Sequence, residues 1–549
     1  MKNNLDLLIK NAVVRTIDDR DSIHSAILLR AGRIAALGTE AEMQTAASPG
    51  AEIFDAGGRT IVPGFIDAHN HLSVAAFEPI AVDCSTPPLA TLDEVLATIE
   101  THCKDLPAGQ WVRGIGFHSS QITEQRNPTR YELDEVAPHN PFFLIESNCH
   151  AGHANSLALD AVRIDVCTPD PWGGNIERDA SGVPTGTLFE AASDLVTSAS
   201  WEAYAERDWD RAVDLLEAKA TEYLAVGLTG VGDACVTTRG AELYRRADAA
   251  QKLPLTLQQL HGGDHFFSKQ DLRRTDILER IHRSDSHMLR GGTMKIFVDR
   301  AYPDGPGLHQ MHDGCTKHVG TNFYNPREVH DLALQATEMG INLAIHGMGN
   351  CAVDAVSNAY ESVRQRVGDD AILRLEHAFI AEPAQAPRLA SLGIDLVANP
   401  GLAYKDGLFF DGWRGENQRH LRVLPLRSMI DAGVRVSFAS DHPCGTYSPA
   451  EIMWSAVARR HQSGTLIDPD EGVTASEALR AYTINPAHAS GRASEEGSLE
   501  VGKRANLLIL DRDPLTVSTD DLRSITVDRT YVDGHLMYER QHAGVAAAD

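Results

Sequence analysis

Apolar residues recur along this chain in short runs, and the runs come in two textures. Near both ends they partly alternate with polar residues and are punctuated by Gly or Asp, as in LDLLIKNAVVRTID, SAILLRAGRIAALG and AEIFDAGGRTIVPG at the start. The same texture returns at the end in ANLLILDRDP and ITVDRTYVDGHLMYER. Alternation of period two with such breaks predicts half-buried strands. Strands from the end can join those from the start in one sheet. Residues 1–62 and 492–549 are therefore expected to form a composite β-sandwich domain, with the rest of the chain inserted between them.

In the middle, short β-rich runs alternate with helical stretches, the pattern of βα units around a parallel sheet. Candidate strands are 61–67 (IVPGFID), 228–233 (LTGVGD), 255–260 (LTLQQL), 293–298 (TMKIFV), 342–346 (NLAIH), 373–377 (LRLEH), 394–399 (IDLVAN) and 435–440 (RVSFAS). Eight is the number that closes a barrel, so the expected class is α/β, a (β/α)8 TIM barrel over 63–491. Residues 72–227, between the first and second of these strands, far exceed the usual loop of a few residues and are expected to contain an inserted subdomain. That interval holds a strand-like PFFLIESN at 141–148, a Gly/Pro-rich PDPWGGNIERDASGVPTG and a long helical stretch from Trp201. No repeat of solenoid period and no low-complexity segment appears.

Composition changes this picture little: 43% hydrophobic and 23% charged residues in 549 allow a large buried core. Charge narrows the partners. A formal net charge of −26 disfavours nucleic acid phosphates and anionic membrane surfaces as partners. Eight cysteines without CxxC or regular spacing make neither a disulfide framework nor a thiolate zinc site, and fit a reducing, cytoplasmic setting. The start, MKNNLDLLIKNAVVRTIDDRD, lacks the apolar core of a signal peptide, and no apolar stretch of about 18 residues follows.

Candidate chemistry gathers at strand ends. Side chains at i and i+2 on a strand share a face, so His69 and His71 can converge on one point if the first strand runs through DAHNH. Neutral imidazole is a good ligand for zinc and its relatives, yet two polar residues closing a strand look the same. Partners come from other strands: His346 ends NLAIH, His377 ends LRLEH, and Asp441 follows RVSFAS, all at the C-terminal face where such barrels keep their active sites. Lys295 sits within the apolar run TMKIFV. Buried unpaired it would be costly, so it either snorkels to solvent or becomes a ligand once its amine is made anionic.

Together VPGFIDAHNHL, the lysine strand, the single-histidine strands and SFASDHP resemble the metal-dependent amidohydrolase superfamily, and the tail GVTASEALRAYTINPAHASGR…GSLEVGKRANLLILDRDP is similar to its return from barrel to sandwich. CHAGHANSLAL, GGNIERDASGVPTGTLFEAA and RLEHAFI look like amidohydrolase family 3, the branch with the N-substituted formamide deformylases. The resemblance covers nearly the whole chain. It implies that His69 and His71 bind one metal and His346 and His377 a second, that carboxylated Lys295 bridges them, and that Asp441 binds metal and handles protons. One or two zinc ions are the implied cofactor, and a homodimer the implied assembly. His150 and Asn155 match a pattern near the substrate pocket, His150 being the better placed to touch a substrate oxygen.

The chain departs from the pattern at Asn350 and Asn506, where acidic residues are common, and in VDRAYPDGPGLHQMHDGC after Lys295, which points to an unusual substrate pocket. The expected reaction is hydrolysis of an amide or N-substituted formamide C–N bond by hydroxide generated at the metal, with Asp441 moving the proton and His150 steadying the oxyanion. A mononuclear deaminase or related hydrolase of the same superfamily, and a non-catalytic barrel scaffold, are the alternatives. There is no GxSxG elbow, and GLTGVGDA and HGMGN are incomplete as nucleotide loops. Trp172 and Tyr324, with Phe323, Phe409 and Trp413, are candidates to pack an apolar substrate group, or simply core.

Overall fold

The computed structural model describes residues 6–264, 275–281, 286–300, 305–312 and 315–541. Eight parallel strands form its centre: β1 (Phe65–Asn70), β2 (Leu228–Thr237), β3 (Thr256–Gly263), β4 (Leu289–Phe297), β5 (Asn342–Gly349), β6 (Leu373–Ala381), β7 (Asp395–Ala398) and β8 (Val436–Phe438). They lie side by side in chain order from β1 to β8, with helices between successive strands. Covered on both faces, β3 and β6 are buried throughout, so polar residues such as Gln259, Arg374 and Glu376 are enclosed within them.

The seam between β8 and β1 closes beyond the last residue of β8. Asp441 N donates to His69 O at 2.9 Å and His71 N to His442 O at 2.9 Å. Asp67, wholly buried in β1, accepts from Ser440 N at 2.9 Å and Ser440 Oγ at 2.5 Å. The two chain segments expected to carry His69, His71 and Asp441 are thus stitched directly together. This is the (β/α)8 TIM barrel that the eight apolar runs imply.

One expected strand is two. Thr60–Pro63 pairs with Val13–Arg15 and Leu507–Leu510 in a sheet outside the barrel, whereas β1 begins at Phe65. Gly64 makes the crossing. A Cβ there would stand 2.1 Å from Thr229 Oγ1, so no larger residue passes between the two sheets at this point. Asn506 O receives Gly64 N at 2.9 Å, and its side chain ties Glu496 to the backbone of Asp533. That departure from the family pattern is thus a structural tie.

Both chain ends supply the outer sheets. One holds, in order, 535–539, 527–532, 507–510, 60–63, 13–15 and 23–24; the other holds 33–38, 26–30, 7–10 and 52–55. They share a core that includes Ile9, Ile27 and Ile34 from one sheet with Ile61, Leu507 and Ile509 from the other. Between β1 and β2 the chain builds a further mixed sheet in the order 174–178, 184–190, 151–154, 142–146, 112–117, 82–83, with its own apolar clusters. The helical stretch from Trp201 proves to be two helices, Ala191–Ala205 and Trp209–Ala225, the second capped by Asp208 accepting from Arg211 N. Among the described residues no helix is long and apolar enough to cross a membrane.

Candidate active site

A small pocket of about 80 Å³ opens at the C-terminal end of the barrel strands. Its polar floor is His69, His71, His346, His377 and Asp441; Phe297, Phe379, Leu402, Phe409, Phe410 and Trp413 form an apolar wall, and His150 reaches in from the inserted sheet.

β1 ends at Asn70, so His69 is a strand residue while His71 stands at the N-terminus of the short helix Leu72–Ala75. The two nevertheless face one carboxylate: Asp441 Oδ1 is 3.0 Å from His71 Nε2 and 3.6 Å from His69 Nε2. Across the barrel, Glu376 and His377 are adjacent on β6, and regular alternation would aim them at opposite faces. His377 is held at φ 78° and Ala378 at φ 51°, which breaks the alternation. Glu376 Oε2 is therefore 2.5 Å from His69 Nδ1 while the His377 ring sits 4.8 Å from that of His69. Asp441 is likewise in the left-handed region at φ 56°. Such strain is concentrated where the surrounding structure enforces it, commonly at functional sites.

Outer partners orient the imidazoles. Glu376 takes His69 Nδ1 and is itself gripped by Arg374, Nε to Oε1 at 2.9 Å. Asn399 Oδ1 takes His377 Nδ1 at 2.8 Å, and Ala234 O takes His71 Nδ1 at 2.8 Å. Each anchor leaves Nε2 as the atom directed at the pocket, an arrangement typical of metal-binding histidines. Burial, with Lys295 nearby, holds His69 down to about 4, and burial with the charge of His69 holds His377 at about 3. Both shifts favour the neutral ring, the form that ligates metal. Burial alone would push the Asp441 carboxyl up; His69, His71 and His377 outweigh it and hold the group well below the usual carboxylate range.

Lys295, on β4 and 1% exposed, makes no hydrogen bond from Nζ, which stands 4.9 Å over the Phe297 ring. Burial brings its amine down to about 8. His346, at 2% exposed, makes no hydrogen bond from either ring nitrogen, Asp299 Oδ1 lying 3.5 Å from Nε2. Orphaned buried polar atoms cost free energy on the order of 1–3 kcal/mol each, so their persistence here suits an ion that would engage them. The ligating atoms of His69, His377 and Asp441 also lie within 4.8 Å of one another. The residues present fit a divalent metal.

His150 is anchored through Nδ1 on Glu190 Oε2 at 2.8 Å. Burial would lower its pKa, but Glu190 together with Cys149 and Asp441 outweighs it and the net shift is upward. Asn155 stands elsewhere. It caps the helix Ser156–Ala161, accepting from Phe142 N and Ala158 N and donating to Ala137 O and Asn140 O, so its amide is fully used in holding the inserted sheet and does not line the pocket. Trp172 and Tyr324 pack on each other, 5.4 Å between ring centroids, and neither lines the pocket; the aromatic wall comes instead from the helix Pro400–Arg414, through Phe409, Phe410 and Trp413. Of the segment that departs from the pattern after Lys295, residues 301–304 and 313–314 lie outside the described residues.

Three groups at the site were not singled out from sequence: Glu376, Asn399 and Glu190. Glu376 left a signal, since a carboxylate inside the apolar run LRLEH is as anomalous as Lys295 in TMKIFV. Glu190 and Asn399 left none, being ordinary polar residues at element ends.

Comparison with known proteins agrees with this geometry. Residues 52–538 match the amidohydrolase family. The chain is 69% identical, over 97% of its length and 98% of the relative's, to the N-substituted formamide deformylase of Arthrobacter pascens. An uncharacterized metal-dependent hydrolase of Pyrococcus horikoshii shares the fold at TM-score 0.74 and 22% identity, covering 94% of this chain and 99% of that one. Atrazine chlorohydrolase TrzN of Arthrobacter aurescens, complexed with zinc, superposes at TM-score 0.54 and 16% identity over 97% of this chain and 95% of its own. This chain belongs to the amidohydrolase family.

Proposed function

We propose that the substrate is an N-substituted formamide, its formyl group at the histidine–aspartate floor and its N-substituent against the aromatic wall. The reaction class follows from the family and from the 69% identical relative: metal-dependent hydrolysis of a carbon–nitrogen bond outside peptides. The observation that carries the finer reading is the mixed lining of the pocket, five metal-type ligands together with six apolar side chains. A site of that shape takes a small polar head on an apolar body.

The groups that would hold metal are His69, His71, Lys295, His346, His377 and Asp441, with zinc the ion that suits imidazole and carboxylate donors. When bound, the metal supplies a Lewis acid for the carbonyl and makes water a stronger acid at neutral pH. Lys295 enters the ligand set as a carbamate. Its amine, brought down to about 8, has a neutral fraction at physiological pH whose lone pair can add to carbon dioxide with release of one proton. Intact-mass measurement under native conditions, with and without bicarbonate, reads that adduct directly.

Asp441 accepts the proton of the attacking water at its carboxylate and delivers it to the departing nitrogen. His150, its pKa raised with Glu190 beside it, donates a hydrogen bond to the oxygen that gains charge as the carbonyl carbon becomes tetrahedral. Water thereby adds oxygen to the formyl carbon, the C–N bond breaks, and formate and an amine leave. A reducing, cytoplasmic setting is supported by eight cysteines none of which is paired, and a homodimer by the family resemblance.

The test is a panel of N-alkyl and N-arylalkyl formamides beside the matching acetamides, followed by amine release. Formamides with an aromatic substituent are expected to give the highest kcat/KM, and Phe409→Ala with Trp413→Ala to narrow that advantage. Turnover of acetamides but not formamides, or indifference to the N-substituent, overturns the assignment.

A further inference from the structure

Two strands, Leu308–His312 and Cys315–Val319, pair as a hairpin between β4 and β5. In their register His309 stands opposite His318, and the two rings are 5.7 Å apart. Cys351, buried in the first turn of the helix Asn350–Val367, places Sγ 3.4 Å from His318 Nδ1. One ligand atom from each of the three lies within 4.8 Å of the others. None of them lines the pocket described above.

We propose that His309, His318 and Cys351 form a second metal site, for one zinc or a cation of the same borderline-soft class, which clamps the hairpin to the barrel. Zinc bonds of about 2.3 Å to sulfur and about 2.0–2.1 Å to nitrogen place tetrahedral ligands about 3.5 Å apart. The Sγ···Nδ1 separation already has that value. Directly opposed residues on an antiparallel pair have neighbouring Cβ atoms, a disposition suited to chelation from one hairpin. Two imidazoles with one thiolate select zinc over magnesium or calcium, which take oxygen.

The surroundings favour a cation. Burial, with the charges of Asp299, Asp354 and Glu382, pushes the Cys351 thiol up to about 12. The metal therefore displaces a proton on binding, and the Asp354 and Glu382 carboxylates offset its charge. The hairpin is already shaped for the site: Asn350 Oδ1 receives His309 N at 2.9 Å, and Gly349 must be glycine because a Cβ there would lie 2.1 Å from Gly307 O at the hairpin base. On its other side Gln310 Nε2 donates to Trp413 O at 3.1 Å and Arg414 O at 3.0 Å. A metal at this point would thus tie the start of the helix after β5 to the helix that carries the aromatic wall.

The experiment counts metal and identifies sulfur ligation. Wild type, Cys351→Ser and His318→Ala are prepared with zinc and their metal per chain measured; cobalt-substituted protein is examined for the near-ultraviolet thiolate-to-cobalt band. Each variant is expected to lose one metal equivalent, and Cys351→Ser to lose the band. Cys149→Ala serves as control because Cys149 borders the active-site pocket, and it should keep the band. His318 lies on the exposed hairpin strand, so His318→Ala stays informative if the buried cysteine variant folds poorly. Equal metal content in wild type and His318→Ala, or a cobalt band that survives Cys351→Ser, overturns the site.

Discussion

Asn155 in the inserted sheet and Lys295 with His346 at the barrel mouth are all deeply buried polar side chains, but their surroundings treat them oppositely. Asn155, wholly buried at the edge of the inserted sheet, has both acceptor sites and both donors engaged by four separate backbone groups. Lys295 and His346, almost as deeply buried at the mouth, make no hydrogen bond at all from Nζ or from either ring nitrogen. A satisfied buried group holds a fold together, whereas an unsatisfied one destabilises it unless something else engages it. For these three residues the contrast says more than residue type does, because an asparagine beside a histidine motif and a lysine in a strand are equally conspicuous in sequence.

The largest effect should come from the mouth. Lys295→Met keeps the bulk and removes the amine, so kcat/KM is expected to fall by ~10³-fold or more, the scale of losing a group central to transition-state charge, while the protein unfolds no sooner in denaturant. Metal per chain, measured on the same sample, should fall with activity. Full metal and near-normal turnover in this variant would erase the distinction between the two regions.

Next comes the anchor behind the mouth. Glu376→Gln leaves His69 Nδ1 without its carboxylate and Arg374 without its counter-charge. Metal affinity or turnover should drop roughly 10–100-fold, the usual cost of removing such a partner. Added zinc is expected to recover part of the activity, which a merely structural defect would not allow.

In the inserted sheet the expectation reverses. Asn155→Ala should leave KM and kcat within about twofold, yet lower unfolding free energy by about 2–3 kcal/mol, since it removes the partner of two buried N–H groups and of Asn140 O and deletes a helix cap. Urea midpoints beside kinetics at one temperature decide it. A large loss of kcat with unchanged stability would move Asn155 back to the substrate.

The smallest effect is a pH dependence in the same subdomain. Arg126, 2.7 Å from Glu132, holds that carboxyl at about 2 against an ordinary 4.5. A depressed folded-state value means stabilisation above the ordinary value that is lost as pH falls through about 2. Glu132→Gln should therefore lower Tm slightly at pH 6, with the difference from wild type closing below pH 4. A difference that grows on acidification contradicts the assignment.

Legibility from sequence differed by element. All eight barrel strands were readable as apolar runs, though several run up to four residues beyond the expected bounds, and the first spans two sheets because the crossing at Gly64 depends on its contact with Thr229, far along the chain. The histidines and Asp441 were readable because a polar residue after an apolar run is a local event, although the strands of His346 and His377 do not end there but run on to Gly349 and Ala381. Glu376 was overlooked although it sits beside His377, since its meaning lies in His69, 307 positions away. Trp172 and Tyr324 looked like pocket aromatics because exposure and composition do not tell which face of a loop meets a cavity.

By itself, then, the order of residues determined the α/β class and the set of groups able to bind metal, because burial periodicity and the end of an apolar run are properties of a few consecutive positions. Tertiary structure alone decided which of those groups converge, which carboxylate orients which imidazole, and which buried amides are already satisfied. Those depend on distances between segments hundreds of residues apart, brought together when the seam between β8 and β1 closes through Asp67, Ser440, His69 and Asp441.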